Sequence, residues 1–386
     1  MKLPEGFVAW GGNCGIKKET PDFAILACPE AVASAAVFTT CTVCAPSIEI
    51  GRKQRSKLKA FVINSGNANA CTGEIGMRDV LNTRSYAAKK LNLKENNVLV
   101  SSTGKIGTPL PMNAIFMGID TGTKHLHKNN FINFAKAIKT TDLVHKTAYR
   151  QFKIGQKTVT LTGASKGSGM IEPNMATMLA YIATDANITS GLLQKCLKKA
   201  IASSFNSISV DGHMSTNDTC AIMASGKSAN ITASSLTKFQ KALNSICLEL
   251  AQKIIWDGEG ATKFVTVEIT NAKSDTDARK IARAIANSPL VKTAIHGNDP
   301  NWGRIVSAAG YSSKTFNPNK AQLNLNGITV FSKGLPVLKN ITAAEKAVKP
   351  KELHIILNCN NGKGHGIIYT CDLSREYITI NADYHT

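Results

Sequence analysis

The sequence predicts an α/β protein with several sheets, and three observations carry that prediction. Apolar, β-branched runs of strand length alternate with longer stretches whose apolar residues recur at spacings of three and four. Glycine-rich polar segments follow several of the strand-like runs directly, where functional loops commonly lie. No internal repeat, low-complexity tract or long linker interrupts the alternation. With 386 residues, the chain suits one large α/β unit or two intimate lobes.

Taken in order, strands are expected at 60–64, 97–102, 158–162, 177–183, 264–270, 323–331, 353–357 and 377–380, all short runs rich in branched or aromatic residues. Helices are expected at 192–204, 236–255 and 277–287 from their three-and-four spacing, with Asp275 and Asp277 standing as caps for the last. Three small-residue loops follow strands: Asn64-Ser-Gly-Asn-Ala-Asn69, Ser101-Ser-Thr-Gly-Lys-Ile-Gly107 and Gly163-Ala-Ser-Lys-Gly-Ser-Gly169. Loops of this composition suggest backbone N–H groups gathered around a compact polar ligand.

Composition narrows the function classes. Hydrophobic residues make up 43% and charged residues 19%, an ordinary globular balance. No apolar run reaches membrane-span length; the nearest, 23–38, is broken by Pro29 and Glu30. The first five residues offer no apolar signal segment, so a cytoplasmic protein is expected. The ten cysteines include a single Cys41/Cys44 pair with no second pair or suitably spaced histidines. Reduced, mostly buried thiols are therefore expected, and neither a metal site nor a disulfide framework. The +20 net charge could attract nucleic acid, but the lysines are dispersed and only 6% of residues are aromatic, so no nucleic-acid partner is expected.

Two short matches fail on context. Gly163-Ala-Ser-Lys-Gly167 fits a GxSxG nucleophile elbow, yet an elbow must open into a helix, and Gly167, Gly169 and Pro173 oppose one. Ser102-Thr-Gly-Lys105 fits SxxK, but the companion Lys-Thr-Gly is absent from the chain.

The stretch 166–180 is the most informative. A glycine-rich loop runs through Pro173 into the apolar run 175–182, whose first hydroxyl is Thr177, after the small Ala176. If that loop strains the Ala176–Thr177 peptide, the Thr177 hydroxyl can attack the Ala176 carbonyl. The resulting ester hydrolyses and leaves Thr177 with a free α-amine, whose ordinary pKa of about 7.7–8.0 suits a base near neutral pH. Nucleophile and base then sit on one residue. The plainer alternative is a threonine opening a buried strand.

The residues as a set resemble the ornithine acetyltransferase (glutamate N-acetyltransferase) family of arginine biosynthesis over nearly the whole chain. The matching blocks run from Asn64-Ser-Gly-Asn-Ala-Asn-Ala-Cys-Thr-Gly73 through Ser102-Thr-Gly-Lys-Ile-Gly107, Leu110-Pro-Met112 and Thr140-Thr-Asp142 to Lys166-Gly-Ser-Gly-Met-Ile171 and Pro173-Asn-Met-Ala-Thr-Met-Leu179. They continue through Val210-Asp-Gly212, Ser215-Thr-Asn-Asp218, Asp257-Gly-Glu-Gly-Ala-Thr-Lys263 and Asp299-Pro-Asn-Trp-Gly-Arg304 to Asn381-Ala-Asp-Tyr-His-Thr386.

The resemblance implies a layered α/β fold of the family's own type, in two lobes, with N-terminal-nucleophile chemistry. It implies a precursor cut between Ala176 and Thr177 into an α chain, 1–176, and a β chain, 177–386, that stay together as an α2β2 heterotetramer or larger. By a ping-pong route, Thr177 takes acetyl from N-acetylornithine, releases ornithine, and passes the acetyl to glutamate to give N-acetylglutamate. Thr103, through its hydroxyl, and Gly104, through its N–H, match the oxyanion hole; Thr140, Lys166, Thr177, Glu259, Asn381 and Thr386 match substrate-binding positions. No cofactor is implied, although some members also accept acetyl-CoA as donor. Three departures touch the pattern: Lys105 at a position usually apolar, His213-Met214 in place of Asp-Thr, and His385 where Arg is common. Two readings compete: an N-terminal-nucleophile amidohydrolase or aminopeptidase of related chemistry, and a basic, non-enzymatic RNA-binding protein.

Overall fold

Apolar runs and amphipathic stretches fold as the alternation predicts, into a mixed α/β architecture. The computed structural model describes residues 1–172 and 178–383. In chain order the strands are β1 (Val8–Gly12), β2 (Phe23–Ala27), β3 (Ala33–Phe38), β4 (Ala60–Asn67), β5 (Val98–Lys105), β6 (Lys146–Ile154), β7 (Lys157–Lys166) and β8 (Leu179–Thr184). They continue with β9 (Ile208–Ser209), β10 (Thr219–Ala224), β11 (Phe264–Ala272), β12 (Gln322–Leu325), β13 (Ile328–Ser332), β14 (Leu335–Pro336), β15 (Glu352–Asn358) and β16 (Gly364–Cys371). The helices are α1 (Pro46–Gln54), α2 (Gly73–Leu91), α3 (Met112–Lys124), α4 (Phe131–Ala137), α5 (Ser190–Ala202) and α6 (Ala233–Trp256). Beyond them come α7 (Asp275–Asn287), α8 (Pro289–His296), α9 (Trp302–Ser312), α10 (Ile341–Ala347) and α11 (Arg375–Asp383).

Residues 1–206 and 213–254 form one compact unit. It holds a four-stranded sheet, β1-β2-β4-β5, and a five-stranded sheet, β3-β10-β8-β7-β6. A shared core lies between the sheets, where fully buried Tyr181 meets Phe61 at 5.1 Å and Phe134 at 5.9 Å between ring centroids. Burying one such ring is worth about 1.5–3 kcal/mol. On the outer face of the four-stranded sheet, α2 and α3 bring Val80, Ile115 and Ile119 against Phe23, Ile25 and Val62. On the five-stranded sheet, Gly163 leaves room for Leu250 and Ile246 of α6, which approach within about a carbon–carbon contact. The layers are thus helix, sheet, sheet, helix.

The second unit comprises 207–212 and 255–385. Its seven-stranded sheet runs β14-β13-β12-β15-β11-β16-β9. One face packs on α7, α8, α9 and α10 through Ile281, Ile285, Val291, Ile305 and Ala344.

Several expectations change. The run 323–331 is a hairpin and not one strand: Asn326 (φ 45°) and Gly327 (φ 83°) turn the chain between β12 and β13, the positive-φ pair that an Asn-Gly hairpin turn requires. Residues 377–380 lie inside helix α11. The cap of α7 is Ser274, whose side chain accepts from the Asp277 N–H, while Asp275 and Asp277 occupy the first turn. Ser165 is fully buried within β7, which removes the elbow reading. Strands β7 and β8, which flank the expected cut before Thr177 in sequence, are antiparallel neighbours in one sheet.

Candidate active site

Two parallel strands create the first feature of the site. The ends of β4 and β5 run side by side, with Gly66 opposite Gly104. Gly104 has φ +130°, and a Cβ there would stand 2.3 Å from the Gly66 carbonyl carbon and 2.6 Å from the Asn67 nitrogen. Only glycine fits so close a backbone approach. The stretch 64–69, expected to be a loop, is strand as far as Asn67 because its backbone pairs with β5, and its asparagines brace the local backbone. Asn64 Nδ2 donates to Asn67 O, Asn67 Nδ2 to Thr108 O and Pro109 O, and Asn69 Nδ2 to Gly76 O. They shape the backbone beside Thr103.

Lys166 closes β7 and is paired in register with Leu179, the first residue of β8. Its ammonium donates to Thr103 Oγ1 at 3.2 Å. With the hydroxyl oxygen accepting from a cation, the hydroxyl hydrogen is left to be donated elsewhere, and the O–H is polarised for that task. Two of the predicted site residues therefore touch directly.

Thr140 joins them through Asp142. The buried Asp142 carboxylate accepts from the Thr140 N–H at 3.0 Å, the Gly167 N–H at 2.7 Å and Lys146 Nζ at 2.6 Å. Both side chains of the Asp142–Lys146 pair are fully buried. Burial alone would raise the Asp142 carboxyl, but the charges of Lys146 and Lys166 and the Gly167 N–H hold it well below the usual carboxylate range. Thr141 Oγ1 and Ser168 Oγ, 2.7 Å apart, tie the same two segments together.

Sequence reasoning missed Lys17. The Asp22 carboxylate accepts from the N–H groups of Cys14, Ile16 and Lys17 at 2.7, 2.7 and 2.8 Å, folding this loop tightly. Lys17 Nζ then donates to Pro21 O and Lys139 O. Burial pushes its ammonium down to about 8, with Asp22 and Asp142 opposing and Lys166 assisting. The spacing of Lys17 and Asp22 along the chain carries no motif that would have flagged them.

In the second unit, Glu259 lies in the loop between α6 and β11, and Asn381 on α11 donates to its Oε2 at 2.9 Å. That loop is pinned by Asp372, which accepts from the Thr262 and Lys263 N–H groups and from Thr262 Oγ1, and lies 2.7 Å from His296 Nδ1. Gly260, at φ +66°, lets the loop pass within 2.5 Å of the Tyr377 nitrogen, measured from where a Cβ would stand. Tyr377 OH donates to Asp211 Oδ2 at 3.2 Å.

The predicted cleavage pair Ala176 and Thr177, the binding position Thr386 and the departure His385 lie outside the described residues. Lys105, His213 and Met214 are exposed. Among the described residues, no group of three or more His, Cys, Asp or Glu side chains is placed to hold a metal ion. No helix among them is long and apolar enough to cross a membrane.

Comparison with known proteins extends these observations. The model of the ArgJ family matches residues 8–386. A protein of Bacillus cereus named arginine biosynthesis bifunctional protein ArgJ is 42% identical over 99% of this chain and 96% of its own. One of the same name from Caldanaerobacter subterraneus subsp. tengcongensis is 43% identical over 100% of this chain and 98% of its own. The crystal structure of arginine biosynthesis bifunctional protein argJ from Bacillus halodurans, 40% identical, covers 54% of this chain and 100% of that chain with a TM-score of 0.52.

Proposed function

Because the chain belongs to the ArgJ family, we propose that it is a self-cleaving acetyltransferase that moves acetyl from N-acetylornithine to glutamate through Thr177. Its place is arginine biosynthesis, as the names of its relatives state for them. The observation that carries the mechanism is the Lys166–Thr103 hydrogen bond beside the Gly66–Gly104 approach.

In the first step the Thr177 hydroxyl oxygen attacks the Ala176 carbonyl carbon. The peptide C–N bond breaks, its nitrogen takes a proton and becomes the Thr177 α-amine, and water hydrolyses the ester left behind. In the transfer step Thr177 Oγ attacks the acetyl carbonyl of N-acetylornithine while its proton passes to the α-amine. The developing oxyanion is met by the Thr103 hydroxyl and the Gly104 N–H, donors of a kind each worth roughly 3–4 kcal/mol of transition-state stabilisation. Collapse expels ornithine, protonated by the same amine, and leaves acetyl-threonine. Glutamate then attacks the ester with its amino group, and N-acetylglutamate departs as the proton returns to Thr177 Oγ.

Lys166 and the hydroxyl of Thr140 suit the α-carboxylate that both substrates carry, with Thr386 and Asn381 as further binding positions. Glu259 suits the cationic end of ornithine. The bifunctional name of the relatives supports acetyl-CoA as a second donor for direct glutamate acetylation. The pairing of β7 with β8 supports α and β pieces that remain associated after cleavage. An α2β2 assembly working in the cytoplasm completes the reading.

The test is a denaturing gel with N-terminal sequencing of the native chain and of Thr177→Ala. Two bands, one beginning at Thr177, are expected for the first and a single uncut band for the second. Active native protein that remains one intact polypeptide would overturn the mechanism. Labelled acetyl recovered only as acetate with glutamate abundant would make the enzyme a hydrolase. Salt-sensitive RNA binding without transfer would make it neither.

A further inference from the structure

We infer that Asn217 is a positioning residue for acetyl transfer, holding the Thr103–Gly104 end of β5 in the orientation that stabilises the oxyanion. The inference rests on the role proposed above for that strand end. Asn217 is 4% exposed and stands just before β10, at the end of the five-stranded sheet. Its amide nitrogen lies 2.5 Å from Ala68 O and 2.9 Å from Ser102 O. Two carbonyl oxygens call for a donor, so the NH2 faces them and both of its hydrogens are used. The amide oxygen accepts from Thr216 Oγ1 at 2.5 Å. All three interactions fix one rotamer of a buried side chain.

What that rotamer holds is specific. Ser102 O belongs to the planar peptide unit that carries the Thr103 N–H, so fixing the oxygen fixes the plane from which Thr103 departs. At the last residue of β5, Lys105 O accepts from the Ala68 N–H at 2.8 Å. Ala68 is the residue whose carbonyl Asn217 also holds. Thr103 and Gly104 are therefore bracketed by two anchored carbonyls, and Asn217 ties both anchors to the neighbouring sheet.

The next two residues hold Met178. Thr219 N donates to Met178 O at 2.9 Å, and the buried Asp218 carboxyl accepts from the Met178 N–H. Met178 follows Thr177 directly. Residues 217–219 thus hold the Ser102 and Ala68 carbonyls with one side chain, and Met178 with the next two residues.

A displacement of about 1 Å at a reacting group can cost on the order of 100-fold in rate. In Asn217→Ala, measured on the fraction cut at Thr177, kcat for acetyl transfer is expected to fall roughly 10- to 100-fold. KM for N-acetylornithine and for glutamate should stay within about 3-fold of native, since the substrate contacts assigned above are untouched. A merely structural asparagine would lower the melting temperature and leave kcat of the folded, cut enzyme alone. A kcat within about 3-fold of native, or a loss confined to KM, overturns the inference. Should Asn217→Ala give no soluble, cut protein, Thr216→Val decides, because it removes the donor that orients the amide. A lower kcat with KM unchanged then supports the inference, and native kcat overturns it. If the native chain itself is not cut at Thr177, the mechanism above has failed first; if it is cut and active while these variants keep native kcat, only the role of Asn217 has failed.

Discussion

Lys166 Nζ and Thr103 Oγ1 meet at 3.2 Å, joining the end of β7 to the end of β5 at a single hydroxyl. The contact crosses from the five-stranded sheet to the four-stranded sheet, and 63 residues of sequence separate its partners. An ammonium donating to that oxygen makes the Thr103 hydroxyl an oriented donor.

Replacing Lys166 by Met should accordingly weaken both binding and transfer. A hydrogen bond to a charged group is worth about 1.5–3 kcal/mol, so kcat/KM for N-acetylornithine should fall roughly 10- to 150-fold. The loss is expected in kcat as well as KM, because Thr103 loses its orientation along with the substrate carboxylate losing its cation. Steady-state kinetics showing a change in KM alone would detach Lys166 from Thr103.

The glycine opposite Gly66 offers a cleaner steric test. Gly104→Ala would place a methyl group 2.3 Å from backbone carbon at a φ of +130°, and backbone cannot swing aside as a flexible side chain can. The strand ends must separate, and a loss of roughly 100- to 1,000-fold in kcat is expected if an oxyanion donor moves with them. Gly107→Ala is the control. Its φ is +80° but nothing lies within 4 Å of the added carbon, so only a cost of about 1–3 kcal/mol in stability from the strained backbone is expected. Equal activity in the two variants would remove Gly104 from the site.

The fold was readable where local pattern decides it, and less so where contacts decide it. The run 60–64, read as a strand, is the middle of a sheet, and the amphipathic stretch 277–287 is a helix packed on another. Residues 377–380, Tyr-Ile-Thr-Ile, have the composition of a strand, yet they form a helix because Ser374 Oγ accepts the Tyr377 N–H at its start. That helix sets Tyr377 and Asn381 four residues apart on one face, where they meet Asp211 and Glu259; an alternating strand would present them differently from their neighbours. Thr103, Gly104 and Lys166 were legible through motif resemblance. Asp142 and Asn217 were present in the matching blocks but without a role, because the contacts that tie them to the site reach Gly167, 25 residues away, in one case and Ser102 and Ala68, 115 and 149 residues away, in the other. No spacing rule reaches that far.

Acid should withdraw the stability that Asp142 contributes to the fold. The Asp142 carboxyl is held below its ordinary value, against burial, by Lys146, Lys166 and the Gly167 N–H. A depressed carboxylate contributes its full stability above the unfolded pKa of about 4, and that contribution is lost progressively as pH falls from there toward the lower folded value. The native melting temperature should therefore drop steeply below about pH 4. Asp142→Asn breaks the fully buried Asp142–Lys146 ion pair and should cost about 3–5 kcal/mol at neutral pH. The double variant with Lys146→Met should recover part of that loss and show a flatter acid limb in a calorimetric pH series. An acid limb unchanged in the double variant would mean that other carboxylates govern it.

The carboxylate of Glu259 tests substrate charge. Asn381 Nδ2 donates to its Oε2, and Gln at position 259 keeps an oxygen to accept that hydrogen bond while removing the negative charge. N-acetylornithine carries a cationic side chain and glutamate an anionic one, so the two substrates should respond in opposite directions. For the donor, kcat/KM is expected to fall roughly 10-fold or more, the loss of one charge-assisted contact. For glutamate as acceptor, KM should hold or decrease, since a like charge has been withdrawn. A structural defect in the loop would weaken both substrates together, so the split between them is the informative reading. Parallel losses for donor and acceptor in Glu259→Gln would assign Glu259 to the architecture of its loop and leave recognition of the ornithine cation to another residue.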